Sequence, residues 1–492
     1  MRERVLIVGI LDRLSGYISP RKALKKSAIT EARASYDAAT RGRRAQGWRA
    51  VSTDANTELL GAASRVRDVA RDMVRNVSLA ARAKHVITHN VVGSGIIPTI
   101  SSANEAQKAR LEQLLKDHFD TTACDAYGRH DLYGIQNLAM GCVVEAGEAL
   151  IRYRPRRTED SLPLPFQIQV MEPDYIDSSI SGPQPNGNFA VQGIEFNVFG
   201  KIVAYHLFPE HPGSMATYTL QTSRPVPAEF ISHVFYTSRP GQARGISWFA
   251  PVILRMRDRA DFADAHLMRQ KIAACFAAFI RSSEGNDGIA SLADGDTFQI
   301  ESLEPGMIER LNDGEDVTFG NPPQVGDYGE YIKAQDREIA SGLGISYEAM
   351  TGDLSNVNFS SGRMGWLEFQ RNIDAWRNFM LLPQMLQPIG KWFLDSAQVQ
   401  VGRTDANVMW TAPRREMINP REEVTAMRDA IRTGVSSRSN EQRKLGFDPG
   451  YLDAEIAADN QRGDGLGLIF DSDPRKVTSA GNPATTEQPV QQ

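Results

Sequence analysis

His85 and His89 stand four residues apart in a stretch of helical pattern, a spacing that lets two imidazoles reach one metal ion. A metal site needs further ligands, and the neighbourhood offers no HExxH arrangement and no cysteine pair. Both histidines are read as structural, and no metal is expected. Glu145 and Glu148 have the chemistry of an acid–base pair, but they fall in a stretch that reads as a strand, with nothing placed to partner them. The sequence contains no GxxxxGK(S/T) loop, no GxGxxG after a strand, no GxSxG and no CxxC. The glycine clusters at 342–344 and 463–467 lack the strand and helix that a phosphate site requires. No catalytic residue and no cofactor are expected.

What remains is hydrogen-bonding chemistry. Residues 345–363, ISYEAMTGDLSNVNFSSGR, bring together Asp353, Ser355, Asn356, Asn358, Ser360 and Ser361 with Gly352 and Gly362, and end on one basic residue, Arg363. These types favour turns and local side-chain to backbone bonds, so the stretch reads as a loop and as a contact element. A loop this long between two helices of a compact domain is more often functional than incidental. Upstream, YGEYIKAQDREIASGLG has helical composition and stops at Gly342 and Gly344. Downstream, Trp366, Phe369, Ile373, Trp376 and Met380 fall on one face of a second helix.

The chain of 492 residues is 41% hydrophobic, which suits a soluble globular protein of roughly three domains. No window approaches the ~20 apolar residues of a membrane span. The start, MRERVLIVGILDRLSG, reads as a short amphipathic helix and not a signal peptide. Cys124, Cys142 and Cys275 show no paired spacing, which fits unpaired thiols and cytoplasmic synthesis. Residues 1–90 carry 18 Lys and Arg against 8 Asp and Glu, and the remainder 37 against 52, so a head of +10 precedes a body of −15. Such asymmetry marks either a nucleic-acid or partner-binding segment or a solvated basic face.

In order, residues 18–57 read as an extended basic arm, and Leu59 to His89 as one helix with Val66, Val69, Ala70, Met73 and Val77 on its apolar face. Arg67, Arg71 and Arg75 line the opposite face. Residues 103–119 read as another helix. From Gly141 to Ser238 the signal is β, in EALIRYRP, FQIQVMEP, VQGIEFNVFG, KIVAYHLF and FISHVFYT, with a hairpin across Asn197 to Lys201. Ser247 and Pro251 open a helix expected to run to Ile280, laced with charge and suited to packing beside copies of itself or lining a solvent-filled space. An acidic insert follows, with strand candidates at TFQIE and DVTF. Pro383 and Pro388 are expected to break the Trp366 helix. Asn419, Pro420 and Gly434 bracket a further helix, two shorter helices follow, and the chain reads as disordered after Gly463.

Several stretches resemble the lambda-type portal proteins of tailed double-stranded DNA bacteriophages. They are SYDAATRGRR with Trp48, RDVARDMVRNVSLAARA with NVVGSGI, His211–Pro212, ISHVF, RPGQARGISWFAPV, LEPGMIERLNDGE and IASGLGISYEAMTGDLSNVNFSSGR, covering roughly residues 30–400. The resemblance implies an α+β portal-type fold assembled as a ring, usually a dodecamer, at one capsid vertex. It divides the chain into a basic arm (1–57), a helical then β-rich wing (58–246), a first stem helix (247–281), a clip (282–327) and a second stem helix (328–344). A tunnel loop (345–363), the helix behind it with its connection (364–418), a helical crown (419–462) and a disordered tail (463–492) complete it.

The resemblance further implies that Asp353, Ser355, Asn356, Asn358, Ser360, Ser361 and Arg363 face DNA. It places Glu304, Glu309, Asp313 and Glu315 of the clip against partners. The implied partners are further copies of the chain, double-stranded DNA, the terminase large subunit, major capsid and scaffolding proteins, and head completion or adaptor proteins, with no membrane. The implied location is the virion, after assembly in the host cytoplasm. The alternatives are a monomeric nucleic-acid-binding module and a DNA-processing enzyme with an unrecognised site.

Overall fold

The computed structural model describes residues 52–215, 221–274, 278–282, 315–319, 328–413, 417, 419–447, 449–470, 473 and 475–477. Every element below belongs to the compact unit Ala55–Gln492. The arm expected at 1–57 lies almost wholly outside the described residues.

The single helix expected from Leu59 to His89 is three: α1 (Ala55–Leu59), α2 (Ala62–Asn76) and α3 (Ser78–Val92). Gly61 takes a left-handed φ of 75°, and Val77 is extended at φ −112°, so the residue assigned to the apolar face is a hinge. The arginine face is not open either. Arg71 meets Asp174 at 2.6 Å and Glu172 at 3.2 Å, and Arg67 meets Asp174 at 3.3 Å. Burial alone would raise the Asp174 pKa, but the Arg71 hydrogen bond and both guanidinium charges hold it below its usual value. Arg75 stays exposed.

After β1 (Ile97–Ser101) and α4 (Glu105–Phe119) comes α5 (Leu132–Ala146), which occupies the start of the stretch read as β. The Asp131 carboxylate accepts the Gly134 N–H at 2.7 Å and caps it. Gly134, Gly141 and the Val143–Val144 pair disguise this helix in the sequence. Leu132, Ile135, Ala139, Met140, Val143 and Val144 are nevertheless all buried, and packing over most of the helix overrides propensity.

The β region then follows expectation. β2 (Glu148–Pro155), β3 (Phe166–Met171) and a later β9 (Ile231–Phe235) form one antiparallel sheet in the order 3-2-9. Between them β4 (Gly182–Pro183), β5 (Phe189–Val191), β6 (Ile194–Phe196), β7 (Ile202–Leu207) and β8 (Arg224–Pro227) form a second, in chain order. The expected hairpin is β6–β7, with Ile194 opposite Tyr205. Leu150, Met171, Ile194, Tyr205 and Leu207 build a small core between the sheets, separate from the main core of the helices.

Residues 247–252 form turns in which the Ser247 hydroxyl accepts the Phe249 N–H, and helix α6 runs only from Ile253 to Ala274. The helix expected through Ile280 ends early because Ala278–Ser282 is a strand, β10, paired antiparallel with β11 (Glu315–Phe319). Aromatic and β-branched content in AFIRS favours that strand once a partner exists. DVTF is thus a strand as expected, and Glu315 opens it opposite Ser282. TFQIE, Glu304, Glu309 and Asp313 lie outside the described residues. α7 (Tyr328–Leu343) returns beside α6, held by Arg259 on Asp336 and Arg255 on Glu338.

α8 (Tyr347–Thr351) and α9 (Phe359–Trp376) follow, and the helical path does not break at the prolines. Residues 377–386 wind as a ten-residue π-helix that leads directly into α10 (Gln387–Val401), with Pro388 in its first turn. The wider turn relieves the clash of the Pro383 ring with the preceding turn and dispenses with its missing N–H. β12 (Asn407–Thr411) then pairs with β1, Ile97 opposite Thr411.

α11 (Pro420–Arg432), α12 (Arg438–Lys444) and α13 (Pro449–Leu466) close the chain. Asn419 holds the N-cap position, but its side chain does not cap; its N–H donates to Glu423 Oε1 at 3.2 Å. α13 runs through Gly463 to Leu466, beyond the expected limit of order, and Arg475 and Lys476 pair with Asp464.

The two sheets and the turn that leads into α6 meet at a buried ion pair. Glu148, read from sequence as lacking a partner, accepts from Arg244 Nη2 at 2.6 Å and Nε at 2.9 Å, from the Gly245 N–H at 2.7 Å and from His233 Nε2 at 2.9 Å. Arg244 also donates to Ser178 Oγ and the Gln192 carbonyl. Glu145 belongs to α5 and pairs with Lys84. A Cβ on Gly245 would collide with the Gly147 carbonyl, and one on Gly147 (φ 94°) with the backbone of Ile246, so both positions require glycine. Burial would raise the Glu148 pKa, yet Arg244's charge and the His233 hydrogen bond hold it far below the usual carboxylate range.

The contribution of this pair is full above the unfolded carboxylate value of about 4.3 and fades as pH falls towards the depressed folded value. Arg244→Met strips the buried Glu148 carboxylate of its guanidinium, leaving only His233 and the Gly245 N–H on it, and is expected to cost about 3–5 kcal/mol. In that variant stability should rise, not fall, as Glu148 protonates at acid pH. Calorimetric melting of the full chain between pH 3 and 7 checks both signs; a variant that melts like the parent refutes the assignment.

Candidate functional site

The segment between α7 and α9 is mostly ordered, where the sequence suggested one long loop. α7 ends at Gly344 (φ 69°), with the Ile345 N–H returning to the Ala340 carbonyl. Ser346 caps α8 by accepting the Ala349 N–H at 3.2 Å, and Gly352 (φ 77°) ends that helix. Met350 is fully buried. Irregular backbone is confined to residues 344–346 and 352–358.

Four of the seven residues assigned to DNA contact have local work. Asp353 Oδ1 accepts the Ser355 N–H at 3.0 Å and hydroxyl at 2.6 Å, and its Oδ2 accepts Tyr347 Oη at 2.9 Å. These three bonds pull its pKa down to about 2, the Ser355 hydroxyl contributing most. Asn358 and Ser361 form a reciprocal capping box that starts α9: Asn358 Oδ1 accepts the Ser361 N–H at 2.8 Å, and Ser361 Oγ accepts the Asn358 N–H at 3.2 Å. The S/T/N-x-x-S spacing is the signal in the sequence that would have revealed it. Asn356, Ser360 and Arg363 are exposed and have no hydrogen-bond partner among the described residues. Leu354 and Met364, which the sequence reading left out, are also exposed, at 66% and 74%.

The helix behind this segment is anchored on its expected apolar face: Phe369, Ile373 and Met380 are buried, and the Trp376 ring lies 4.7 Å from that of Trp248. Two further anchors were not visible in sequence. Arg377 Nε donates to the Val91 carbonyl at 2.6 Å and Nη2 to the Asn90 carbonyl at 2.8 Å, closing the C-terminal end of α3. Gln384 Oε1 accepts the Phe235 N–H at 2.9 Å, and its carbonyl accepts the Ser232 hydroxyl, which fixes the π-helix to β9.

Two other clusters carry possible chemistry. His85 and His89 stack at 5.5 Å and line a cavity of about 360 Å³ with Arg71, Lys84, Glu145 and Glu172. Among the described residues no third metal-ligating group joins them. Glu172, Asp174 and His211 do bring three ligand atoms within 4.8 Å of one another. There, His211 Nδ1 accepts the Gly213 N–H at 3.0 Å, which leaves the proton on Nε2, 3.1 Å from Glu172. With Arg67 and Arg71 on the same carboxylates, the arrangement is an ionic clamp and not a cation site.

Asn358→Ala is expected to cost about 1 kcal/mol at the start of α9. Amide hydrogen exchange should show the loss at residues 359–363 and not at 369–380; uniform protection across the helix would refute the capping role.

The sequence model of the family described as phage portal protein, lambda family, matches residues 41–377. The probable portal protein of Halomonas phage phiHAP-1 is 25% identical over 429 residues, which cover 82% of this chain and 81% of that protein. The portal protein of Escherichia phage N15 is 24% identical over 467 residues, covering 83% and 86%. Among solved structures, a chain in the neck of a native gene transfer agent particle aligns over 78% of this chain and 94% of its own, at 15% identity and a TM-score of 0.45. The family match takes in about two-thirds of the sequence, from residue 41 through Arg244, α6, α7 and the capped segment to Arg377, and on that ground the chain belongs to the lambda family of phage portal proteins.

Proposed function

We propose that copies of this chain close into a ring, a dodecamer in the virion, through which double-stranded DNA is driven inward by a terminase and later released. Family membership supports the portal role. The observation that carries the DNA-facing assignment is the exposed tip at residues 354–356 with Ser360 and Arg363, held by short caps between two anchored helices. Asn356 and Ser360 offer neutral hydrogen bonds, and Arg363 is the one cation of the segment. A surface that neutralised many phosphates would hold DNA tightly and in a salt-dependent way, which opposes sliding. The internal use of Arg67 and Arg71 by Glu172 and Asp174 takes away the helix face that a nucleic-acid-binding module would need.

The strands β10 and β11 support a clip at residues 282–327 that meets the terminase large subunit and then head completion or adaptor proteins, with Glu304, Glu309, Asp313 and Glu315 as contacts. Capsid and scaffolding proteins are the further partners of the assembling particle, in the host cytoplasm. The role is conduit and docking platform, without catalysis.

Negative-stain imaging and mass photometry of the purified chain are expected to show closed rings with a central hole; a lone chain at micromolar concentration would overturn the reading. Joint replacement of Leu354, Ser355 and Asn356 by alanine is expected to leave rings intact and to lower packaged DNA markedly. Full packaging by that variant would refute contact between this tip and DNA.

A further inference from the structure

The outer part of β2 carries a column of cations. Arg152 and Arg154 alternate along the strand with Tyr153, and Arg156 follows just past its end, so all three share the face on which Leu150 is buried in the small core. Two residues of extended chain set neighbouring members about 6.7 Å apart, on a line of about 13 Å. On β3, Gln169 stands opposite Arg152 and Gln167 opposite Arg154. Gln169 Nε2 donates to Tyr127 Oη at 2.8 Å. Gln167 accepts from Arg156 Nε at 2.7 Å and donates to the Ala123 and Asp125 carbonyls. Both glutamines are thus engaged without touching the two strand arginines.

Arg152 and Arg154 are half-buried, yet neither makes a side-chain hydrogen bond or a salt bridge among the described residues. Burial and the charge of Arg154 hold the Arg152 pKa below its ordinary value, and among the described residues no carboxylate offsets them. Acids of the surrounding segments have other work. Glu148, four residues back on the same face, is taken by Arg244 and His233. Asp125 accepts the N–H groups of Tyr127, Arg129 and His130, and Asp160 accepts that of Arg157. Glu159 and Glu229 are exposed and form no salt bridge with the column. Two half-buried guanidiniums side by side repel each other and lose hydration, a cost that an incoming oxyanion removes.

We propose that this column docks an acidic, extended segment of another protein, whose alternate carboxylates meet Arg152, Arg154 and Arg156. An extended chain repeats its same-side side chains at the same ~6.7 Å, and a guanidinium fork can take one carboxylate with two parallel hydrogen bonds. Duplex DNA fits less well. The chain beyond residue 90 carries 37 basic against 52 acidic residues, a net −15, and a duplex brings one charge per about 1.7 Å of its axis, far more than three arginines neutralise. A slender segment brings only the charges that the column meets. The surface lies within one chain, so the inference does not rest on the ring reading.

The test uses the full chain and, as probe, a fluorescent octapeptide alternating glutamate and threonine, followed by anisotropy at low salt. Arg152→Gln with Arg154→Gln is expected to weaken binding at least about tenfold, the equivalent of one charge-assisted pair. The basic head attracts the same probe in both proteins, so the quantity read is the difference between parent and variant. Equal affinity of the two for the peptide overturns the proposal. The melting temperature of the variant should match or exceed that of the parent, because a repulsion is removed; a clear fall would show the arginines to be engaged within the fold and overturn the premise. A short DNA duplex is the competing probe. Should it lose as much affinity as the peptide in the variant, or more, the column belongs to nucleic acid and the assignment to an acidic segment fails.

Discussion

The contact on which the arrangement of the two sheets and the start of α6 depends is the buried ion pair of Glu148 and Arg244. Removing both charges from water is costly, and the cost is offset because nearly every donor and acceptor is used, by His233, the Gly245 N–H, Ser178 and the Gln192 carbonyl. The pair joins the first strand after α5, the last strand of the 3-2-9 sheet and the turn that launches α6. Gly147 and Gly245 lie nearly a hundred residues apart, and their backbones touch so closely that neither tolerates a side chain. A hydrophobic pair would fill the same space but would not select one register between these three elements.

Local patterns in the sequence were reliable wherever the cause was local. The apolar face from Trp366 to Met380, the β6–β7 hairpin and the helix start at Pro420 all follow from spacing and turn chemistry. Failures came where packing decided. α5 is a helix because most of its surface is buried, despite two glycines and paired valines. β1 finds its partner some three hundred residues later, a pairing no local rule could announce. The π-helix absorbs a proline that ordinarily ends a helix, and only the anchors on Arg377 and Gln384 show why the chain continues.

The candidate site was legible as a position and less so as a geometry. The polar content of residues 345–363 singled out a segment that does carry exposed side chains, but composition does not separate a side chain that bonds its own backbone from one that faces solvent. Asn358 and Ser361 are residues of both kinds by type, and their three-residue spacing makes them a cap. Asp353 spends its acceptors on Ser355 and Tyr347. The same distinction applies to Arg67 and Arg71, which look like a basic surface in sequence and in fact clamp α2 to the strand region.

Short caps on both sides also set how far the tip can reach. Between Gly352 and Asn358 only five residues lack helical or capping roles, and at roughly 3.5 Å per residue their contour is ~17 Å, so the tip can stray no more than about half that from its mean position. A tether this short cannot follow a moving polymer by swinging. Any larger stroke must come from pivoting of α7 and α9, which hands the timing of such movement to the core in which Ile339, Phe369 and Ile373 are buried.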